Sequence, residues 1–150
     1  PMNSASAGQV FKTILVALDS SELSDRVMQA LHQLQIGPDT QVILSHVISP
    51  SESGIDRPAD LPLPEIPTGL YSQIEDRLRD YQRQLSCNSA IEIVSGDPAD
   101  EIIRLSNIYN VDLILMGSRG LTGVNRILQG SVSSQVAADA HCSVFVVKPA

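Results

Sequence analysis

Five short apolar runs alternate with four segments of helical period along this 150-residue chain, and that alternation narrows the possible folds more than any single residue. KTILVAL (12–18), QVILSHVI (41–48), AIEIV (90–94), VDLILM (111–116) and SVFVVK (143–148) are nearly continuous, as strands buried on both faces must be. Leu23, Val27, Ala30, Leu31 and Leu34 recur at helical spacing, and Gly37 and Pro38 stop that helix. Leu70, Ile74, Leu78, Tyr81 and Leu85 line one face of a second helix. In the third, Asp97 suits the N-cap, Pro98 the first helical position and Asp100 the positive end of the dipole. Its core face is Ile102, Ile103, Leu105 and Ile108, and a last helix is expected from about Ser131 to Ala140. The order β-α-β-α-β-α-β-α-β argues for an open, doubly wound, Rossmann-like α/β fold: a parallel sheet with helices on both faces. Such sheets bind ligands outside the carboxyl ends of their strands, where the strand order switches.

The length suits one domain, placed at 11–150, with residues 1–10 read as a flexible tail. Pro50, Pro58, Pro62, Pro64 and Pro67 fall within 49–69, which excludes a helix or central strand there. That Pro-rich stretch reads as a surface loop, with a lid or partner contact as the alternative. Trp is absent and aromatics are 3%, so the core must be aliphatic. A net charge of −7 repels nucleic acid and anionic membrane alike. No apolar run approaches the ~20 residues of a membrane span. The opening PMNSASAGQ has neither the basic nor the apolar region of a secretory leader. Cys87 and Cys142 stand at no metal-ligand spacing and read as reduced and partly buried. A cytoplasmic location is expected. His46 reads as a packed strand residue, and His32 and His141 as surface or turn positions without metal partners.

The stretch that carries chemistry is MGSRGLTGVNRILQGSVSSQVA, residues 116–137, between the fourth strand and the last helix. A polyphosphate needs several donors close together. Glycines let the backbone N–H groups approach, and a helix N-terminus adds unpaired N–H groups and a favourable dipole. Gly117 and Gly120 can form one wall, and Gly130 with Ser131-Val132-Ser133 the other, with the Ser131 and Ser133 hydroxyls as donors. Each residue has a plainer reading: Gly117 as a turn glycine, Ser131 as an N-cap, Arg119 and Arg126 as solvated cations. The stretch is neither a Walker A loop nor a dinucleotide fingerprint, so from these residues alone it is an anion site.

Gly117-x2-Gly120-x9-Gly130-Ser131 resembles the G-x2-G-x9-G-[S/T] signature of the ATP-binding universal stress proteins. KTILVALDSSELS, HVI (46–48) and GDPADEI are similar to further parts of that family, and the resemblance covers 11–148. It implies a five-stranded parallel sheet of order 3-2-1-4-5. It also implies that Asp19 lies near the adenosine, that the Val47 backbone meets adenine, and that Met116 and Gly117 lie near the ribose; read by itself, Asp19 equally suits a cap on the first helix, as do Ser20 and Ser21. Gly120, Gly130, Ser131, Val132 and Ser133 would hold phosphates, with Arg119 in the same loop. The implied ligand is ATP, with AMP or ADP as alternatives, and Mg or Mn would be held by the phosphates and water. No protein metal ligand and no catalytic residue is assigned. The family often has proline before its last strand, where this chain has Ser143. Its members commonly dimerise through that strand, which implies a homodimer through Val144 to Lys148, and an apolar edge strand favours such pairing.

Hydrolysis needs a positioned water and usually a base. The loop offers Arg119, Thr122, Asn125, Arg126 and Gln129, with no carboxylate or histidine, and Asp19 is expected at the adenosine end. The expectation is therefore a nucleotide-dependent stress-response regulator with at most slow ATP hydrolysis or self-phosphorylation. An ATPase of real turnover, an AMP or cyclic-nucleotide sensor, and a nucleotide-independent protein-interaction module remain open alternatives.

Overall fold

The computed structural model describes residues 11–19, 21–49, 68–118 and 131–149, with Thr68 and Ser131 described by backbone alone. The expected tail (1–10) and residues 50–67 of the Pro-rich stretch lie outside the described residues. The elements are β1 (Thr13–Ala17), α1 (Leu23–Gln33), β2 (Gln41–Ile48), α2 (Thr68–Arg83), β3 (Asn88–Ser95), α3 (Pro98–Ile108), β4 (Leu113–Gly117), α4 (Ser131–Asp139) and β5 (Ser143–Val147). The strands form one parallel sheet in the order β3-β2-β1-β4-β5. This is the expected five-stranded, Rossmann-like arrangement.

Side chains on successive strand residues point to opposite faces, so each strand feeds two cores. Ile14, Val16, Val42, Leu44 and Leu115 pack against Leu23, Val27 and Leu31 of α1 and Ile74 and Leu78 of α2. Leu15, Ile43, Val47, Ile114 and Met116 pack against Ala99, Ile102 and Leu105 of α3 and Val136 of α4. Ile14, Leu15 and Val16 of the central strand are fully buried. This two-sided burial is why the run reads as continuously apolar rather than alternating.

β3 is longer than the expected 90–94. It pairs with β2 along its whole length, from Gln41↔Asn88 to Ile48↔Ser95, and its polar ends Asn88, Ser89 and Ser95 hid that extent. The opposite end of the sheet is pinned by Asp112. Its Oδ2 accepts the N–H groups of Lys12 (2.6 Å) and Thr13 (3.3 Å) and so joins the entries to β1 and β4. The α3 cap is as expected: Asp97 accepts from the Asp100 N–H at 3.1 Å, with Pro98 at the first helical position. The same helix closes with Asn110 at φ 51°, while the Val111 N–H reaches the Ser106 C=O and the Asn110 N–H reaches the Asn107 C=O. These two bonds make a Schellman motif.

Candidate functional site

β1 sits between β2 and β4. Its outgoing helix α1 covers one face of the sheet, while α3 and α4 cover the other. Helices that leave a strand end in opposite directions open a crevice above it. A cleft lies there, with about 460 Å³ of empty space that is partly open to solvent. Asp19, Val47, Met116, Gly117 and Val132 all line it, so these five expected site residues, from four separate segments, do come together. The first residues of α1 and α3 (Leu23 and Pro98) and Val132 at the start of α4 line it too. The first turns of three helices therefore border one space, where helix ends carry partial positive charge, within a chain of net charge −7.

The described walls are mostly apolar: Ala17, Leu18, Leu23, Val27, Val47, Ile102, Met116 and Val132. Among the described residues polar groups are few and placed by the sheet. The Leu18 N–H donates to the Ser45 C=O at 2.9 Å, and the Gly96 N–H on the other side donates to the Ile48 C=O at 3.1 Å. Backbone groups alternate sides along a strand, so the N–H and C=O of Val47 face the β1 side, beyond the last residue that pairs there (Ala17↔Ser45). A planar ligand edge carrying one donor and one acceptor fits that position.

Asp19 follows directly. Its Oδ1 accepts the Ser21 N–H (2.8 Å) and the Ser21 hydroxyl (2.5 Å), and the Ser24 hydroxyl lies 3.1 Å away. It does not cap α1, one of the two roles open to it from the sequence. The N-cap position is Glu22, without a side-chain bond, and the helix opens through tight i→i+3 contacts, Ser24 N–H to Ser21 C=O and Asp25 N–H to Glu22 C=O. Ser21 Oγ accepts the Leu23 N–H at 3.2 Å instead. Beyond Asp19, Tyr81 of α2 donates to Asp25 Oδ1 of α1 at 2.6 Å. Burial first, and then that bond, push its phenol well above the usual range.

Gly117 ends β4, where a Cβ would stand 2.5 Å from Leu23 Cδ2 and 2.9 Å from Leu23 Cγ. It is therefore the seat on which Leu23 rests. Ser131 opens α4, and Ser133 is buried and already engaged in the fold. Arg119, Gly120 and Gly130 lie outside the described residues. Among the described residues no group of three or more His, Cys, Asp or Glu could hold a metal ion, and no helix is long and apolar enough to cross a membrane. His46 is buried and engaged, and both cysteines are free and partly buried.

The sequence reading did not single out Ser24, Leu23 or Ile102 for the cleft. Ser24 carried a signal: it is a polar residue on the apolar face of α1, beside Leu23, Val27, Met28 and Leu31. Ile102 was legible only as core, because its distance from β1 along the chain says nothing of their proximity.

Residues 11–148 match the model of the Universal stress protein family. Universal stress protein MJ0531 of Methanocaldococcus jannaschii is 31% identical over 144 residues, covering 93% of this chain and 83% of that protein. The solved structure of MJ0577 from the same organism is 28% identical with a TM-score of 0.78, covering 95% of this chain and 99% of that one. A universal stress protein in complex with cAMP superposes with a TM-score of 0.66 at 20% identity, covering 93% of this chain and 98% of that one.

Proposed function

We propose that this chain, which belongs to the universal stress protein family, binds an adenine nucleotide in the cleft above β1 and works as a nucleotide-dependent stress-response regulator. The observation that carries this reading is the convergence of Asp19, Val47, Met116, Gly117 and Val132 on one apolar crevice ringed by three helix N-termini. The crevice fits the group. Its apolar walls suit a purine and ribose, the Val47 backbone offers a donor and an acceptor to a base edge, and Asp19 offers a carboxylate to amine or hydroxyl donors. The start of α4 offers N–H groups to phosphate, and Arg119, Gly120, Gly130, Ser131 and Ser133 complete the phosphate end by the sequence pattern.

ATP is the ligand of this reading, because Gly117-x2-Gly120-x9-Gly130-Ser131 resembles the signature of the ATP-binding members of the family. Mg or Mn would neutralise charge while held by phosphate and water. The residues from Gly117 to Ser133 include no carboxylate and no histidine, so the protein supplies binding and orientation with at most slow hydrolysis. The protein works in the cytoplasm as a homodimer paired through β5. The edge position of that strand and its 43% exposed Phe145 support the pairing.

Calorimetric titration of nucleotide-free protein with Mg-ATP, AMP and cAMP tests the reading. cAMP is included because a protein of this fold carries it. Micromolar or tighter ATP binding that is lost in Gly130→Val is the expected result. Tighter AMP or cAMP binding would make the chain a sensor of those nucleotides. Binding of none would sink the nucleotide reading in favour of a protein-interaction module.

A further inference from the structure

Ser24 is 1% exposed on an otherwise apolar helix face. A hydroxyl that deep needs partners, and among the described residues those it has belong to one residue. The Asp19 N–H donates to Ser24 Oγ at 3.0 Å, and Ser24 Oγ lies 2.6 Å from the Asp19 C=O and 3.1 Å from Asp19 Oδ1. Had β1 continued in the register Ala17↔Met116, the Asp19 N–H would have gone to the Gly117 C=O. Ser24 takes that N–H instead and turns residue 19 out of the sheet. Among the described residues the carboxylate is held at Oδ1, by the Ser21 N–H and the Ser21 hydroxyl with Ser24 beside them, and no bond reaches Oδ2. Asp19 lines the cleft.

We infer that Ser24 is a positioning residue, which fixes Asp19 so that Oδ2 meets a hydrogen-bond donor on the nucleotide and thereby sets selectivity. The inference rests on the nucleotide reading above. An ionised carboxylate only accepts. A ligand with an amine or hydroxyl at that point is favoured, and one with a keto oxygen or no group leaves a part-buried charge unpaired. Without the Ser24 hydroxyl the Asp19 N–H loses its partner, the turn loosens, and the carboxylate no longer discriminates.

The test uses the full chain as wild type, Ser24→Ala and Ser24→Thr, titrated with Mg-ATP and three analogues that each lack one donor. Inosine triphosphate lacks the amine, and 2′-deoxy-ATP and 3′-deoxy-ATP each lack a hydroxyl. Wild type is expected to bind one analogue about tenfold or more weaker than ATP, the worth of a lost hydrogen bond to a charged group. Ser24→Ala should bring that ratio to within about twofold by weakening ATP, and Ser24→Thr should retain it. Wild type that discriminates against no analogue overturns the inference. So does Ser24→Ala that weakens all ligands alike, as a purely structural role would.

Amide hydrogen exchange in nucleotide-free protein separates this inference from the functional reading. Ser24→Ala should speed exchange at the Asp19 and Ser21 N–H groups by about tenfold, with Leu15 and Val16 unchanged. If wild type binds no nucleotide the functional reading falls, and selectivity with it. Unchanged exchange at Asp19 would refute the positioning itself.

Discussion

Replacing Gly117 by alanine should force Leu23 off its seat at the mouth of the cleft. The new Cβ would stand 2.5 Å from Leu23 Cδ2 and 2.9 Å from Cγ. Non-bonded carbons settle at about 3.5–4.0 Å, so the leucine must retreat by roughly 1 Å or more. Leu23 is 4% exposed and packed in the core, and Val27 Cγ2 also stands 3.7 Å from the new Cβ. Overpacking of this kind costs about 1–3 kcal/mol. At about 2–4 °C per kcal/mol for a chain of this size, Tm should fall by roughly 2–12 °C. Urea and thermal unfolding followed by far-ultraviolet circular dichroism read this directly, which suits a chain without tryptophan. Leu23→Ala alone should cost about 2–5 kcal/mol through the cavity it leaves. In that background the Gly117→Ala methyl enters vacated space and should be neutral or stabilising, a coupling of about 1–3 kcal/mol. If Gly117→Ala costs the same in both backgrounds, Leu23 is not its obstacle and the packing account is wrong.

Asn110 sits at φ 51° in the α3 Schellman turn, so Asn110→Ala should lose about 1 kcal/mol in urea unfolding, whereas Asn110→Gly should lose none. Asp112→Ala removes the acceptor for two N–H groups at the head of β1 and should cost about 1–2 kcal/mol; an unchanged midpoint would show that the two bonds contribute nothing. Tyr109 donates to the Glu92 carboxylate, and that bond, aided by burial, pushes its phenol up to about 12. An unfolded tyrosine ionises near pH 10, so the bond contributes fully below pH 10 and is lost as pH rises towards 12. The stability gap between wild type and Tyr109→Phe should shrink over that window, and a constant gap would contradict the bond. Phe145→Lys on the β5 edge should convert a dimer to monomer in sedimentation, and a monomeric wild type would refute the pairing.

Much of this protein was legible in its sequence because the relevant physics is local. A strand buried on both faces must be apolar throughout and a surface helix must repeat every 3.6 residues, so the nine elements among the described residues followed from KTILVAL to SVFVVK without reference to one another. Asp97 and Pro98 marked the start of α3 for the same reason, since a cap and the N–H it satisfies lie within one turn. Strand order is not local, and from it come the cleft and its membership. Asp19 was recognisable as a residue of interest, yet whether it capped α1 or faced a ligand depended on where β1 leaves the sheet and on Ser24 reaching back to it. Gly117 looked like a glycine kept small for a ligand, whereas the space its missing Cβ frees is filled by Leu23 of another element. Pattern and caps were readable from neighbours in the chain. Which buried group meets which across the sheet was decided only when parallel pairing brought β1, β2 and β4 together with their helix starts, because contact distance bears no fixed relation to distance along the chain.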